Sequence, residues 1–180
     1  MPAATTPVTI RQAEPGDEAA LIGLVRELAE FERATDQVQA DAGDLARALF
    51  GAEPVAGAHV ALDPVSDAAV GMALWYPTFS TWTGRPGMHL EDLYVRPSAR
   101  GRGVGRTLLR TLAAHCLAHG WPRLEWAVLD WNAQAIGFYQ ALGANALTDW
   151  QTYRLTGSAL HSLASEADGA AAHPRAGSRD

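Results

Sequence analysis

Apolar residues along the chain change their spacing several times, and each change marks an element. Residues 8–11 alternate, with Val8 and Ile10 against Thr9 and Arg11, and predict a short first strand. Over residues 15–33, Leu21, Leu24, Val25, Leu28 and Phe31 recur at helical spacing behind Pro15 and a first turn carrying acids, which predicts a helix. A short helix is expected at 44–50. Two apolar runs, 57–62 and 69–76, flank Asp63-Pro64-Val65-Ser66-Asp67 and read as a strand–turn–strand hairpin. Residues 77–87, rich in turn formers and aromatics, read as a loop.

The second half repeats a different rhythm. Residues 88–95 predict a strand, and an Arg/Gly turn leads into a helix over 103–119. In that helix Val104, Leu108, Leu109, Leu112 and Cys116 share one face, while Arg102, Arg106 and Arg110 share another. A strand at 124–129, a helix at 132–142 closed by Gly143, a last strand near 152–155 and a terminal helix near 158–164 complete the series. Strands come first as hairpins and later alternate with helices, so the fold class is α/β with a mixed sheet.

Length and composition narrow this to one folded unit. The chain has 180 residues, 48% of them hydrophobic, enough for one full core and little more. A domain spanning 8–165 is expected, with a flexible 1–7 and a disordered 166–180, the latter lacking large apolar residues. No apolar run is long enough to span a bilayer, no secretory pattern opens the chain, and Cys116 is the only cysteine. A cytoplasmic protein that does not engage membranes fits these features.

Charge changes the picture through its distribution. The net charge is −6, a poor match to nucleic acid, and all 14 basic residues are arginines. Acids crowd the first third of the chain, whereas Arg96, Arg100, Arg102, Arg106 and Arg110 form the densest basic cluster. One region is suited to a cation, the other to an anion.

The basic cluster contains Arg100-Gly101-Arg102-Gly103-Val104-Gly105-Arg106, between a strand and a helix. Alternate glycines let the backbone approach a ligand closely, the helix directs free N–H groups at it, and arginines add charge-assisted hydrogen bonds. A diphosphate cradle is the functional reading, and a glycine turn with solvated arginines is the plainer one. A Walker-type loop is excluded because the chain has no lysine. A Rossmann loop is weakened by the G-x-G-x-G spacing and by the long stretch before it, although Glu125 falls at a suitable distance. Coenzyme A, with a diphosphate and a further phosphate, suits both the amides and the arginines.

Arg100-x-x-Gly103-x-Gly105 resembles the R-x-x-G-x-G acetyl-CoA signature of the GNAT superfamily of N-acetyltransferases. Leu90-Glu91-Asp92-Leu93-Tyr94-Val95-Arg96-Pro97 is similar to that superfamily's preceding strand. Leu129-Asp130-Trp131-Asn132 with Phe138-Tyr139-x-x-Leu142-Gly143-Ala144 resembles its second cofactor motif. Glu27-Leu28-Ala29-Glu30-Phe31-Glu32 and Tyr153-Arg154-Leu155 narrow the likeness to the diamine (spermidine/spermine-like) acetyltransferase branch. The resemblance implies a mixed, mostly antiparallel sheet with a splayed pair of strands and flanking helices. It implies acetyl-CoA as co-substrate, held by Arg100, Gly101, Arg102, Gly103, Val104, Gly105 and Arg106, by the backbone of Leu93, Tyr94 and Val95, and by Asn132. It further implies a homodimer and Tyr139 as the general acid toward the departing thiolate.

The chemistry asks for one more group. An alkyl ammonium must lose its proton before attack, which costs roughly 4–5 kcal/mol at neutral pH if lysine is the model. A carboxylate near the acceptor can offset part of that. Glu91 is the candidate base. Glu91 and Asp92 are adjacent, so they face opposite sides of a strand unless it is bulged. For the acceptor, Phe31, Glu32, Trp82, Asp92 and Tyr153 supply acidic and aromatic surface suited to an ammonium. Ser80 stands where polyamine-specific relatives carry an acid, which leaves a smaller diamine, a lysine-like amino acid or another primary amine. Direct transfer in a ternary complex, without an acyl-enzyme, is expected, and Cys116, on an apolar helix face, does not argue otherwise. His115 and His119 have no third partner in sequence, so no metal is expected. The alternatives are a protein amine as acceptor and a non-catalytic acyl-CoA-binding module.

Overall fold

The computed structural model describes residues 8–171. The expected flexible segment 1–7 and the last part of the expected tail, 172–180, lie outside the described residues. The chain divides at Leu129 and Asp130 into two compact units.

The first unit is built on a sheet of five strands in sequence order. β1 (Thr9–Gln12), β2 (Gly57–Leu62), β3 (Ala69–Ser80) and β4 (Arg85–Val95) pair antiparallel with their neighbours. β5 (Leu124–Trp126) pairs parallel with β4, after the crossover helix α3 (Val104–Ala118). Two helices, α1 (Glu18–Phe31) and α2 (Ala42–Phe50), lie between β1 and β2 in the chain. The architecture is mixed α/β and mostly antiparallel.

Pairing register sorts side chains onto two faces. Leu74, Met72 and Tyr94 share a face with Val60, and these pack with Leu21 and Leu24 of α1 and Leu49 of α2. The opposite face carries Trp75 and His59, against which His115 of α3 packs, its ring centroid 4.8 Å from that of Trp75. Leu108 and Leu112 of α3 are fully buried. The sequence pattern for these helices is thereby satisfied, each having one apolar side against one sheet face.

Local chemistry sets the element ends. Asp41 and Asp44 form a reciprocal capping box at the start of α2. Asp63 accepts from the N–H groups of Val65 and Ser66 and turns β2 into β3. At Gly57 a Cβ would lie 2.3 Å from the Trp75 ring, so only glycine fits under that indole. Arg96 donates from Nε and NH2 to the Glu27 carboxylate, at 2.7–3.1 Å, and from NH1 to the Ala69 carbonyl at 2.9 Å. This clamp fastens α1 to the end of β4. Arg96 is therefore committed to structure rather than to an anion.

Three expectations need correction. Residues 77–87 are not a loop: β3 and β4 continue to Ser80 and from Arg85, with Pro77 opposite Met88 and Phe79 opposite Pro86. Strand pairing overrides the local turn preference of those prolines and glycines. Residues 152–155 form no strand among the described residues, because no ladder pairs them. β5 is also shorter than its apolar run, ending at Trp126. The second unit contains α4 (Ala133–Gln140) and α5 (Gly157–Ala171). Asn132 caps α4 by accepting from the Ala135 N–H at 3.1 Å.

Candidate active site

The strand that leads into the glycine turn is irregular at one place. Trp75 of β3 stands opposite Leu90 and Leu74 stands opposite Asp92, so Glu91 is an extra residue in β4. An extra residue of this kind sends two successive side chains to one side of a sheet. Leu90 follows Trp75 onto the α3 face. Asp92 follows Leu74 onto the α1 face, where Glu91 and His89 also belong by alternation. The two neighbouring carboxyls that a regular strand would separate thus meet.

Their environments differ. Glu91 is exposed and its Oε2 lies 3.8 Å from His89 Nε2. Asp92 is partly buried, and its carboxyl is pushed up to about 6, first by desolvation and then by the charges of Glu91 and Glu32. Glu32, just beyond α1, is itself raised by burial. Three carboxyls therefore converge, two of them poorly solvated, and a cation brought among them would relieve the repulsion. Tyr76, opposite His89 on β3, stacks on its imidazole at 5.0 Å, and its hydroxyl is raised by burial and by Glu91. Tyr76 and His89 were not foreseen from sequence, since only cross-strand register brings them to this face.

On its other edge, β4 pairs with β5 only from Met88 to Leu90. Among the described residues no ladder continues along Leu93, Tyr94 and Val95 on that side, which is where the strands splay. Past β4, Gly101 and Gly103 have φ of +73° and +77°, the left-handed region that favours glycine, and a Cβ at either would meet nothing within 4 Å. Gly103 caps α3, whose first N–H groups have no partner within the helix. Val104 is buried and anchors the turn to the core, whereas Arg102 and Arg106 are exposed at the turn and on the first turn of α3. Gly105 is the residue between them. The open space at the glycines, the first amides of α3 and the two arginines fit a diphosphate.

Arg100, the first residue of the motif, makes contacts of its own within the protein. Its Nε donates to the Val95 carbonyl at 2.9 Å, and its guanidinium lies 5.4 Å from the Phe31 ring centroid and 5.7 Å from that of Tyr94. It closes the turn and ties it to the end of α1. Trp82 sits at the exposed tip of the β3–β4 hairpin. The first unit thus gathers Glu32, Glu91 and Asp92 on one face of the sheet. Asn132, Tyr139 and Tyr153 belong to the second unit. There Tyr139 packs beside Phe138, with ring centroids 5.3 Å apart, and the exposed Tyr153 donates to Gln151 at 3.1 Å.

Comparison with known proteins agrees with this geometry. The model of the acetyltransferase (GNAT) family matches residues 24–144. The chain is 40% identical over 166 residues to thialysine N-epsilon-acetyltransferase of Bos taurus, covering 87% of this chain and 97% of that one. It is 32% identical to human spermidine/spermine N(1)-acetyltransferase-like protein 1, covering 87% of this chain and 24% of that protein. Among solved structures, an integron cassette protein from the V. cholerae mobile metagenome superposes with a TM-score of 0.73 at 28% identity, covering 88% and 98% of the two chains. The chain belongs to the acetyltransferase (GNAT) family, in its diamine acetyltransferase-like branch, and is an acetyl-CoA-dependent N-acetyltransferase.

Proposed function

We propose that the protein acetylates a primary amine of a small, lysine-like or diamine substrate, by direct attack in a ternary complex. The observation that carries this reading is the extra residue in β4, which turns Glu91 and Asp92 to one face beside Glu32. The thialysine named for the bovine relative and the absence of an acid at Ser80 both favour a short lysine-like amine over a long polyamine.

Acetyl-CoA supplies the activated acetyl group as a thioester. The Gly101–Gly103 turn and the first amides of α3 hold its diphosphate, with Arg102 and Arg106 adding charge. The unpaired edge of β4 at Leu93 and Val95 aligns the pantetheine arm, and an N–H near Tyr94 polarises the carbonyl. Asp92 and Glu32 bind the ammonium, with Phe31, Trp82 and Tyr153 as its aromatic surroundings. Glu91, the most exposed of the three carboxyls, takes the proton directly or through water. Tyr139 serves as the acid toward the thiolate, and Asn132 adds a cofactor contact to its capping role. A homodimer belongs to the same proposal, supported by the exposed Leu147, Trp150, Leu160 and Leu163 of the second unit. A cytoplasmic setting belongs to the same proposal, supported by the presence of a single, buried cysteine, Cys116. No helix among the described residues is long and apolar enough to cross a membrane.

A thiol-release assay across an amine panel tests the proposal. Thialysine, lysine and short diamines should be acetylated with higher kcat/KM than spermine or a lysine-containing peptide; preference for the peptide would overturn the small-substrate reading. The cradle is tested separately. Gly103→Val forces a branched side chain into the left-handed region and should raise the KM for acetyl-CoA by roughly tenfold, with a smaller change in the KM for amine. An unchanged acetyl-CoA KM would remove the turn from the site.

A further inference from the structure

The amine face contains two titratable groups that the reaction as described does not use, Tyr76 and His89. His89 is three-quarters buried, with a side-chain exposure of 26%, and its ring is held flat against Tyr76 at an interplanar angle of 27°. Its Nε2 lies 3.8 Å from Glu91 Oε2. The separation is too long for a hydrogen bond. The contact is therefore one between charges, and it exists only while the imidazole is protonated.

We propose that His89 is a proton-gated positioning residue of the amine site, whose imidazolium form pairs with Glu91 and withholds that carboxylate from the incoming amine, and whose neutral form releases it. The inference rests on Glu91 being the base. The imidazolium and the incoming amine both engage Glu91, so protonation of His89 and productive binding of amine oppose each other, and the coupling is reciprocal. A paired Glu91 is also a weaker base, so the gate acts on turnover in the same direction.

Several ionisable groups surround His89. Glu91 and Asp92 follow it on β4, and Tyr76 lies opposite on β3. Glu32 acts on Asp92 from the end of α1. Glu125, its register partner on β5, is bound to Arg123 at 2.9 Å and so is largely neutralised. Glu91 is the carboxylate that His89 reaches directly. Asp92, raised into the same pH range, is the second proton acceptor on this face and must be separated from His89 in any test.

The experiment measures KM for thialysine and for 1,3-diaminopropane from about pH 5.5 to about pH 8.5, across the imidazole range, in the wild type, His89→Gln and Asp92→Asn. The ratio of acid to alkaline KM should be larger in the wild type than in His89→Gln by roughly threefold to fivefold, the size of one exposed ion pair. The same excess should persist in Asp92→Asn. Equal ratios in the wild type and His89→Gln would overturn the proposal. A second arm needs no substrate: the NMR signal of the His89 ring should follow a different pH course in Glu91→Gln than in the wild type, and superimposable curves would overturn the pairing. Undiminished turnover in Glu91→Gln, with the ring signal still altered, would instead remove Glu91 as base while leaving the pair intact.

Discussion

Glu91→Gln should lower kcat by about 10²–10³-fold, within the usual reach of a positioned general base. The change keeps the shape and hydrogen-bonding reach of the side chain and removes only its basicity. Because Glu91 is the extra, exposed residue of β4, its backbone and its neighbours Leu90 and Asp92 lose no packing partner. KM for acetyl-CoA should stay within about twofold, since the cradle lies past the end of the strand; a twofold change is ~0.4 kcal/mol. Raising the pH should partly rescue the variant, because a larger fraction of amine is then already deprotonated. Full activity at neutral pH would exclude Glu91 as the base.

The second expected result concerns stability and has two opposing parts. Asp92 carries a carboxyl raised from 3.8 to about 6 in the fold. Its ionised form is disfavoured by folding, so the penalty is complete above pH 6 and disappears as pH falls toward 3.8. His59 is buried on the other face of the sheet, accepting from Trp75 Nε1 at 3.2 Å, and is lowered from 6.5 to about 4 by burial and by His115. Folding disfavours its protonated form, so that penalty is absent above pH 6.5 and complete below pH 4. Each shift corresponds to about 3 kcal/mol at full extent. Acidification from pH 6.5 to 4 therefore relieves one group while burdening the other, and the two nearly offset.

Single substitutions should expose each part in urea denaturation. Asp92→Asn should be more stable than the wild type at pH 7.5 by up to about 3 kcal/mol, and should then lose stability on acidification through His59. His59→Gln, which can still accept from the Trp75 indole, should instead gain stability as pH falls, through Asp92. Asp92→Asn should also weaken amine binding, a case of stability given up for function at a site of crowded charge. A less stable Asp92→Asn at pH 7.5 would contradict the electrostatic picture of the amine face.

Much of this site was visible in the sequence, and what was hidden was hidden for a physical reason. The glycine turn, the α3 stripe of Val104, Leu108, Leu112 and Cys116, and the order of helices and strands as far as α4 follow from local spacing, and they recur in the structure. The convergence of Glu91 and Asp92 depended on whether β4 was regular, which is a property of its pairing with β3 and not of either residue. Arg96 reads as part of an anion site because its partner, Glu27, lies 69 residues away on another element. The contacts of Arg100 to Phe31 and Val95 are likewise tertiary and left no mark in the sequence. Tyr76 and His89 carry no motif at all. The hairpin extension through Pro77 and Pro86 ran against local preference and was decided by the long ladder with its partner strand.

The most direct measurement is a single-turnover experiment, in which protein saturated with acetyl-CoA is first followed alone and then mixed with thialysine. Free thiol should appear only after mixing, one equivalent per site, with acetylated amine formed at the same rate. A stoichiometric burst of thiol before any amine is added would mean that the acetyl group first moves onto the protein, and would contradict direct attack by an amine deprotonated at Glu91.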